Sequence, residues 1–233
     1  HAQQPARAAG IRQEAGSNSA ISAVARAAIR ILEHQANDGA ITMDKPVSTN
    51  SRVVPYFSNF AAQGLVAAFR ETREPRFLDA AKQWAVWYES HMNPDGTVCD
   101  YTGGPGAWKS TGDYDSTDSY AATYLELVLA VQRAKNDLEW LPARHSKVRQ
   151  ALAAINLTLQ KNGLTTAKPS YPVIYLMDNV ETARGLRAAS EIAAELGELN
   201  LREETRSLAL KMEAAMSQKL WNEAKRNYRV GLK

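Results

Sequence analysis

The chain has 233 residues, 45% of them hydrophobic and 23% charged, and Lys plus Arg exceed Asp plus Glu by only three. That length supports one domain with a substantial core. The small, dispersed charge excess, with no basic stripe interleaved with aromatics, argues against nucleic acid as a partner, and no stretch is long and apolar enough to span a membrane.

Residues 1–16 are rich in Ala, Gln and Gly and are expected to form a disordered N-terminal segment ahead of a single domain over 17–233. The small polar start, His1-Ala2-Gln3-Gln4-Pro5-Ala6, fits the mature end of an exported protein, so a secreted or periplasmic location is the expectation. Ser17 or Asn18 is placed to cap a first helix over 17–35, with Ile21, Val24, Ala28, Ile31 and Leu32 on one face. A second helix starts near Tyr56 and runs to the break at Arg73-Glu74-Pro75; its Ala, Gly64 and aromatic content on most faces predicts burial. The third, over 77–92, has an apolar stripe of Leu78, Ala81, Trp84, Ala85 and Tyr88, and Trp84, Trp87 and Trp140 are read as core. A short strand over 97–101 and the Gly-rich run Gly103-Gly104-Pro105-Gly106 follow. The fourth helix, over 119–135, is apolar nearly all round. Trp140-Leu141-Pro142 opens a fifth, over 140–160. A Pro-interrupted loop with strand character, 164–176, leads to a sixth helix over 180–196 and a seventh over 201–220, and 227–230 reads as a last strand.

The pattern repeats. Odd-numbered helices end in Asp38-Gly39, Asp95-Gly96 and Asn162-Gly163, where the glycine supplies a left-handed turn. Even-numbered helices share Ala61-Ala62-Gln63-Gly64-Leu65, Ala121-Ala122-Thr123-Tyr124-Leu125 and Thr182-Ala183-Arg184-Gly185-Leu186, about 60 residues apart, as in a helical-hairpin repeat. Helices with one polar face belong outside and the more apolar helices inside. The long loops then gather at one rim, beside the N-termini of the inner helices.

That rim collects the chemistry. Ser116 and Thr117 are good caps for the fourth helix, and Asp115 and Asp118 fall at its N-terminus, where free N–H groups favour carboxylates. Asp178 and Glu181 take the matching place one repeat later. Trp108, Tyr101, Tyr114, Tyr56, Tyr171 and Tyr175 offer aromatic faces on the same side. Arg52 and Lys109 are the cations of these loops. The histidines lack a metal-ligand partner at useful spacing, so no metal is assigned. Cys99 is the only cysteine; neither it nor any serine has a nucleophile elbow or a histidine partner.

Val54-Pro55-Tyr56-Phe57-Ser58-Asn59, Asp95-Gly96-Thr97-Val98-Cys99-Asp100-Tyr101 and Asp113-Tyr114-Asp115-Ser116-Thr117-Asp118-Ser119-Tyr120-Ala121-Ala122 together resemble the six-hairpin glycosidase superfamily of (α/α)-toroid carbohydrate enzymes. The resemblance covers 17–233. It implies an all-α fold, a partial (α/α) toroid with short strands at the active-site rim. It also implies glycan binding in the central cleft and hydrolysis by paired carboxylates, without a cofactor. A closed toroid has six hairpins and this chain holds three with the outer helix of a fourth, so a fragment lacking C-terminal hairpins is the first expectation, with an open arc or closure by a second chain as the alternatives. The catalytic candidates are Asp115, Asp118, Asp178 and Asp100. Tyr56, Asn59, Tyr101, Trp108, Tyr114, Tyr175, Asn179 and Glu181 are the substrate-binding candidates. Glycoside hydrolysis needs an acid for the leaving oxygen and a base or nucleophile opposite. A polysaccharide lyase acting on a uronate-containing glycan, and a non-catalytic glycan- or protein-binding solenoid, remain the alternatives.

Overall fold

The structure, a computed structural model, describes residues 14–232. Most of the segment expected to be disordered, 1–13, lies outside the described residues. The first helix, α1, spans Glu14–Leu32, so Ser17 and Asn18 sit inside it rather than capping it. The other helices are α2 (Pro55–Thr72), α3 (Pro75–Ser90), α4 (Thr117–Lys135), α5 (His145–Thr158), α6 (Leu176–Glu195) and α7 (Leu199–Lys219). Prolines open α2 and α3, where the missing N–H costs nothing. The fifth helix starts later than its sequence pattern suggests. Trp140 stays in the preceding turn, its indole donating to the Val128 carbonyl at 3.0 Å, and a single 3-10 turn, Pro142–Arg144, leads into α5. The sixth starts earlier, so Asp178 lies within its first turn.

Helices α2, α4 and α6 pack side by side as an inner row. Outside them α1 packs on α2, α3 on α2 and α4, α5 on α4, and α7 on α6. Helix α4, in the middle, is buried from Thr117 to Leu125 without interruption, which explains its apolar character on every side. The repeat leucines Leu65, Leu125 and Leu186 are all core residues. Gly185 is where α6 meets α4 most closely: a Cβ there would lie 2.5 Å from the Ala122 Cα.

The three repeat turns are built alike. Asp38, Asp95 and Asn162 each accept the amide two residues on, from Ala40, Thr97 and Leu164, at 3.3, 3.0 and 2.9 Å. The glycine between takes φ of +95°, +86° and +86°. Two backbone bonds close each turn: the amides of Ala36, Asn93 and Gln160 donate to the carbonyls of Ala40, Thr97 and Leu164, every one at 2.8 Å, and the glycine amides donate back to Ala36, Asn93 and Gln160 at 3.0, 2.9 and 3.0 Å.

The rim carries short antiparallel ladders. Strands β1 (Ser51–Val53), β2 (Tyr101–Gly103) and β3 (Lys109–Ser110) form one sheet. The strand expected over 97–101 begins only at Tyr101, because Thr97 is consumed by the turn. Strand β4 (Ile174–Tyr175) pairs with β7 (Gly231–Leu232), bringing the end of the described chain back beside the start of α6. Strands β5 (Trp221–Asn222) and β6 (Asn227–Tyr228) form a small hairpin after α7.

Candidate active site

Two acidic side chains from neighbouring inner helices converge on one hydroxyl. Ser116 is the N-cap of α4 and its Oγ accepts from the Ser119 amide at 3.3 Å. The same Oγ lies 2.5 Å from Asp118 Oδ1 and 3.3 Å from Asp178 Oδ2. Asp118 is fully buried and Asp178 is 6% exposed. Asp118 Oδ1 also takes the Ser119 amide at 2.9 Å, whereas its Oδ2 is buried without a hydrogen-bond partner among the described residues.

Burial pushes the Asp118 carboxyl up to about 6, against the pull of the Ser116 and Thr165 hydroxyls and the Ser119 amide. Burial, then the charges of Asp118 and Glu181, push Asp178 up to about 7. Perturbation of this kind, from desolvation plus a like charge, is concentrated at functional sites and makes this pair a candidate.

Asp178 opens into a cleft of about 650 Å³ lined by Asp115, Lys168, Ser170, Tyr171, Tyr175, Met177 and Val230 among others. Asp118 does not line it. Asp115 is exposed on the cleft wall. The Tyr171 and Tyr175 hydroxyls meet at 3.3 Å. Lys168 is held by Asp113 at 2.8 Å, and its ammonium stands over the Tyr114 ring, 5.4 Å from the centroid. Deeper in, Tyr56 donates to Glu181 Oε1 at 2.8 Å and stacks on Tyr120 at 6.1 Å between centroids. Burial and the Glu181 carboxylate hold the Tyr56 hydroxyl well above its ordinary value.

Of the sequence candidates, Asp115, Asp118, Asp178, Glu181, Tyr56, Tyr114 and Tyr175 are therefore gathered at or behind the cleft. The others are placed as scaffold. Asp100 accepts the Tyr120 hydroxyl at 2.8 Å, and its backbone pairs with Thr111 and Asp113, so it anchors the loop. Asn59 is fully buried and ties α2 to α3 and α4: its Oδ1 takes the Trp84 indole at 2.9 Å and its amide reaches Thr123 at 2.9 Å. Asn179 clamps Thr165 from both sides of its peptide. Tyr101 packs edge-on against Trp87, and Trp108 donates to Asp38 at 2.8 Å. Of the two cations singled out in these loops, Arg52 faces Asp44 and Lys109 is exposed in β3. The cation at the cleft is Lys168. Sequence reasoning missed it and missed the bridging role of Ser116, which the cap position alone does not reveal. Among the described residues no group of three or more His, Cys, Asp or Glu is arranged to hold a metal.

No protein-family model and no curated protein matches the chain. Solved structures match it in fold. An unsaturated glucuronyl hydrolase from Bacillus sp. GL1, described as responsible for the degradation of glycosaminoglycan, superposes with TM-score 0.68 at 15% identity, covering 90% of this chain and 59% of its own. A D-mannose isomerase superposes with TM-score 0.70 at 15% identity, with 94% and 60% covered. An unsaturated glucuronyl hydrolase specific for heparin gives 0.65 at 13% identity, with 86% and 55% covered. The chain thus spans a little under two thirds of the length of these proteins. Its helical hairpins share the (α/α)-toroid fold of these solved structures.

Proposed function

We propose that this chain contributes the proton-transfer half of a carbohydrate active site, and that the reaction is hydrolysis at the end of a uronate-containing oligosaccharide. The observation that carries the reading is Asp178: a carboxyl group raised to about 7, with Asp118 behind it and an aromatic, mixed-charge cleft in front. A carboxylic acid still protonated near neutral pH is the group glycoside cleavage needs to protonate the leaving oxygen. Asp115, on the wall of the same cleft, is the carboxylate placed to serve as its partner. Tyr171 and Tyr175 offer faces for sugar rings, and Lys168 offers a cation for a sugar carboxylate. Two of the fold neighbours are named as glucuronyl hydrolases, which agrees with this substrate class.

A second reading has its own support. Asp118 is closed off from the cleft, so a single carboxyl with a raised pKa reaches the substrate there, which suits proton movement on one sugar, as in an isomerase; one fold neighbour is a mannose isomerase. One panel separates the readings. Reducing-sugar release and loss of unsaturated-uronate absorbance are measured on uronate oligosaccharides, and ketose formation on free hexoses. Hydrolysis that Asp178→Asn lowers by about 10²–10⁴-fold supports the first reading. Ketose formation with no hydrolysis replaces it with the second.

A further inference from the structure

A single hydroxyl proton cannot be donated to two carboxylates at once. Ser116 Oγ nevertheless lies within hydrogen-bond distance of both Asp118 Oδ1 and Asp178 Oδ2, and its third contact, the Ser119 amide, is itself a donor. If both carboxyls were ionised, one of them would face Ser116 without a proton between. No cation repairs this. The groups facing Asp178 are the carboxyls of Asp118, Asp115 and Glu181 and the phenols of Tyr56 and Tyr175, while Lys168 is held by Asp113. Asp118 also buries Oδ2 with no hydrogen-bond partner among the described residues, an arrangement a neutral acid tolerates far better than a carboxylate.

We propose that Asp118 and Asp178 share one proton through Ser116, with buried Asp118 as the store and Asp178 as the group that spends it in the cleft. In one state Asp178 Oδ2 carries the proton and donates to Ser116 Oγ, which donates its own proton to the Asp118 carboxylate. In the other, Asp118 Oδ1 carries the proton, donates to Ser116 Oγ, and the serine proton points at the Asp178 carboxylate. Passing between them breaks the O–H bond at Asp178 and the O–H bond of Ser116, and forms one at Ser116 and one at Asp118. No charge is created and no other reactant is needed. Asp178 is the catalytic residue of this set; Ser116 and Asp118 position and supply its proton.

This rests on Asp178 being the acid of the proposed reaction, but it can be tested without substrate. Carboxyl-carbon NMR of Asp-labelled protein is followed across pH in wild type, Asp118→Asn, Asp178→Asn, Ser116→Ala and Ser116→Thr. In wild type both signals should respond to both proton losses, since a coupled pair titrates as a unit. Asp118→Asn should lower the Asp178 midpoint by about one pH unit or more, and Asp178→Asn should do the same to Asp118. Ser116→Ala should move both midpoints, and Ser116→Thr, which keeps a hydroxyl, should restore them. If one Asn variant does not fold, the reciprocal one supplies the result. Asp178 and Asp118 midpoints that ignore each other overturn the shared proton, and midpoints unmoved in Ser116→Ala remove the serine from it. Coupled titration with no turnover of any glycan would sink the proposed reaction and leave the shared proton standing.

Discussion

Asp118 is the residue where burial and ionisation pull against each other most plainly. Burial raises its carboxyl to about 6, so the folded state holds that proton more tightly than the unfolded chain does. The stabilisation is fully present below the ordinary carboxyl range, near 4, and is lost as pH rises through about 6. The same sign applies to Asp178, whose loss extends to about 7. Replacing Asp118 by the neutral isostere Asn removes the penalty. Asp118→Asn should therefore be more stable than wild type at pH 8 by roughly 1–3 kcal/mol, with the difference fading towards pH 4. Denaturant unfolding at the two pH values checks this; equal stability at pH 8 would mean that Asp118 is not buried as a charge. Keeping a carboxyl there at that cost is what the proposed proton sharing would require.

At the level of helices and turns, the inner row depends on close approach. In Gly185 the backbone of α6 nearly touches that of α4, so a side chain must push two helices apart. Gly185→Val should cost at least about 1–3 kcal/mol. Gly64, in the matching position of α2, meets only the Ile31 Cδ1 at 3.4 Å, and Gly64→Ala should be neutral or gain up to about 1 kcal/mol from helix propensity. Urea midpoints of the two variants test the contrast, and a tolerated Gly185→Val would contradict the packing. The repeat turns and the buried faces, by contrast, were legible in the sequence because they are local. An Asp-Gly or Asn-Gly pair carries its own turn geometry, and the recurring leucines state which face is buried. The site was only half legible for the opposite reason. Ser116 announces itself as a cap, but its contact with Asp178 depends on two helices more than 60 residues apart coming together. Nothing near Lys168 in the chain marks it out, because its role comes from Asp113 and Tyr114, brought to it by the fold.

Across the whole molecule, charge is distributed by depth. The exposed face of the inner row carries ion pairs between half-exposed or exposed arginines and their acids, Arg184 with Glu126 at 2.6 Å, Arg187 with Glu213 at 2.6 Å and Arg133 with Glu191. Pairs of this kind are screened and contribute little. Deeper between α3, α4 and the turn before α5, Glu89 holds Arg144 at 2.9 Å and accepts the Tyr124 hydroxyl at 2.9 Å, while the Arg144 guanidinium covers the Trp140 ring. Raising the salt to 1 M should therefore change the unfolding free energy by less than about 1 kcal/mol, since the pairs it reaches are the weak ones. A larger loss would show that the outer arginines hold the array together.

The pairing of β4 with β7 gives this architecture a loose seam. Only two residues on each side form the ladder, Val230 beside it is 80% exposed, and yet Val230 walls the cleft while the Leu176 amide at the head of α6 rests on its carbonyl. So short a ribbon contributes little stability of its own. The hollow in front of Asp178 therefore owes one of its walls to a two-residue ladder rather than to the helix bundle behind it.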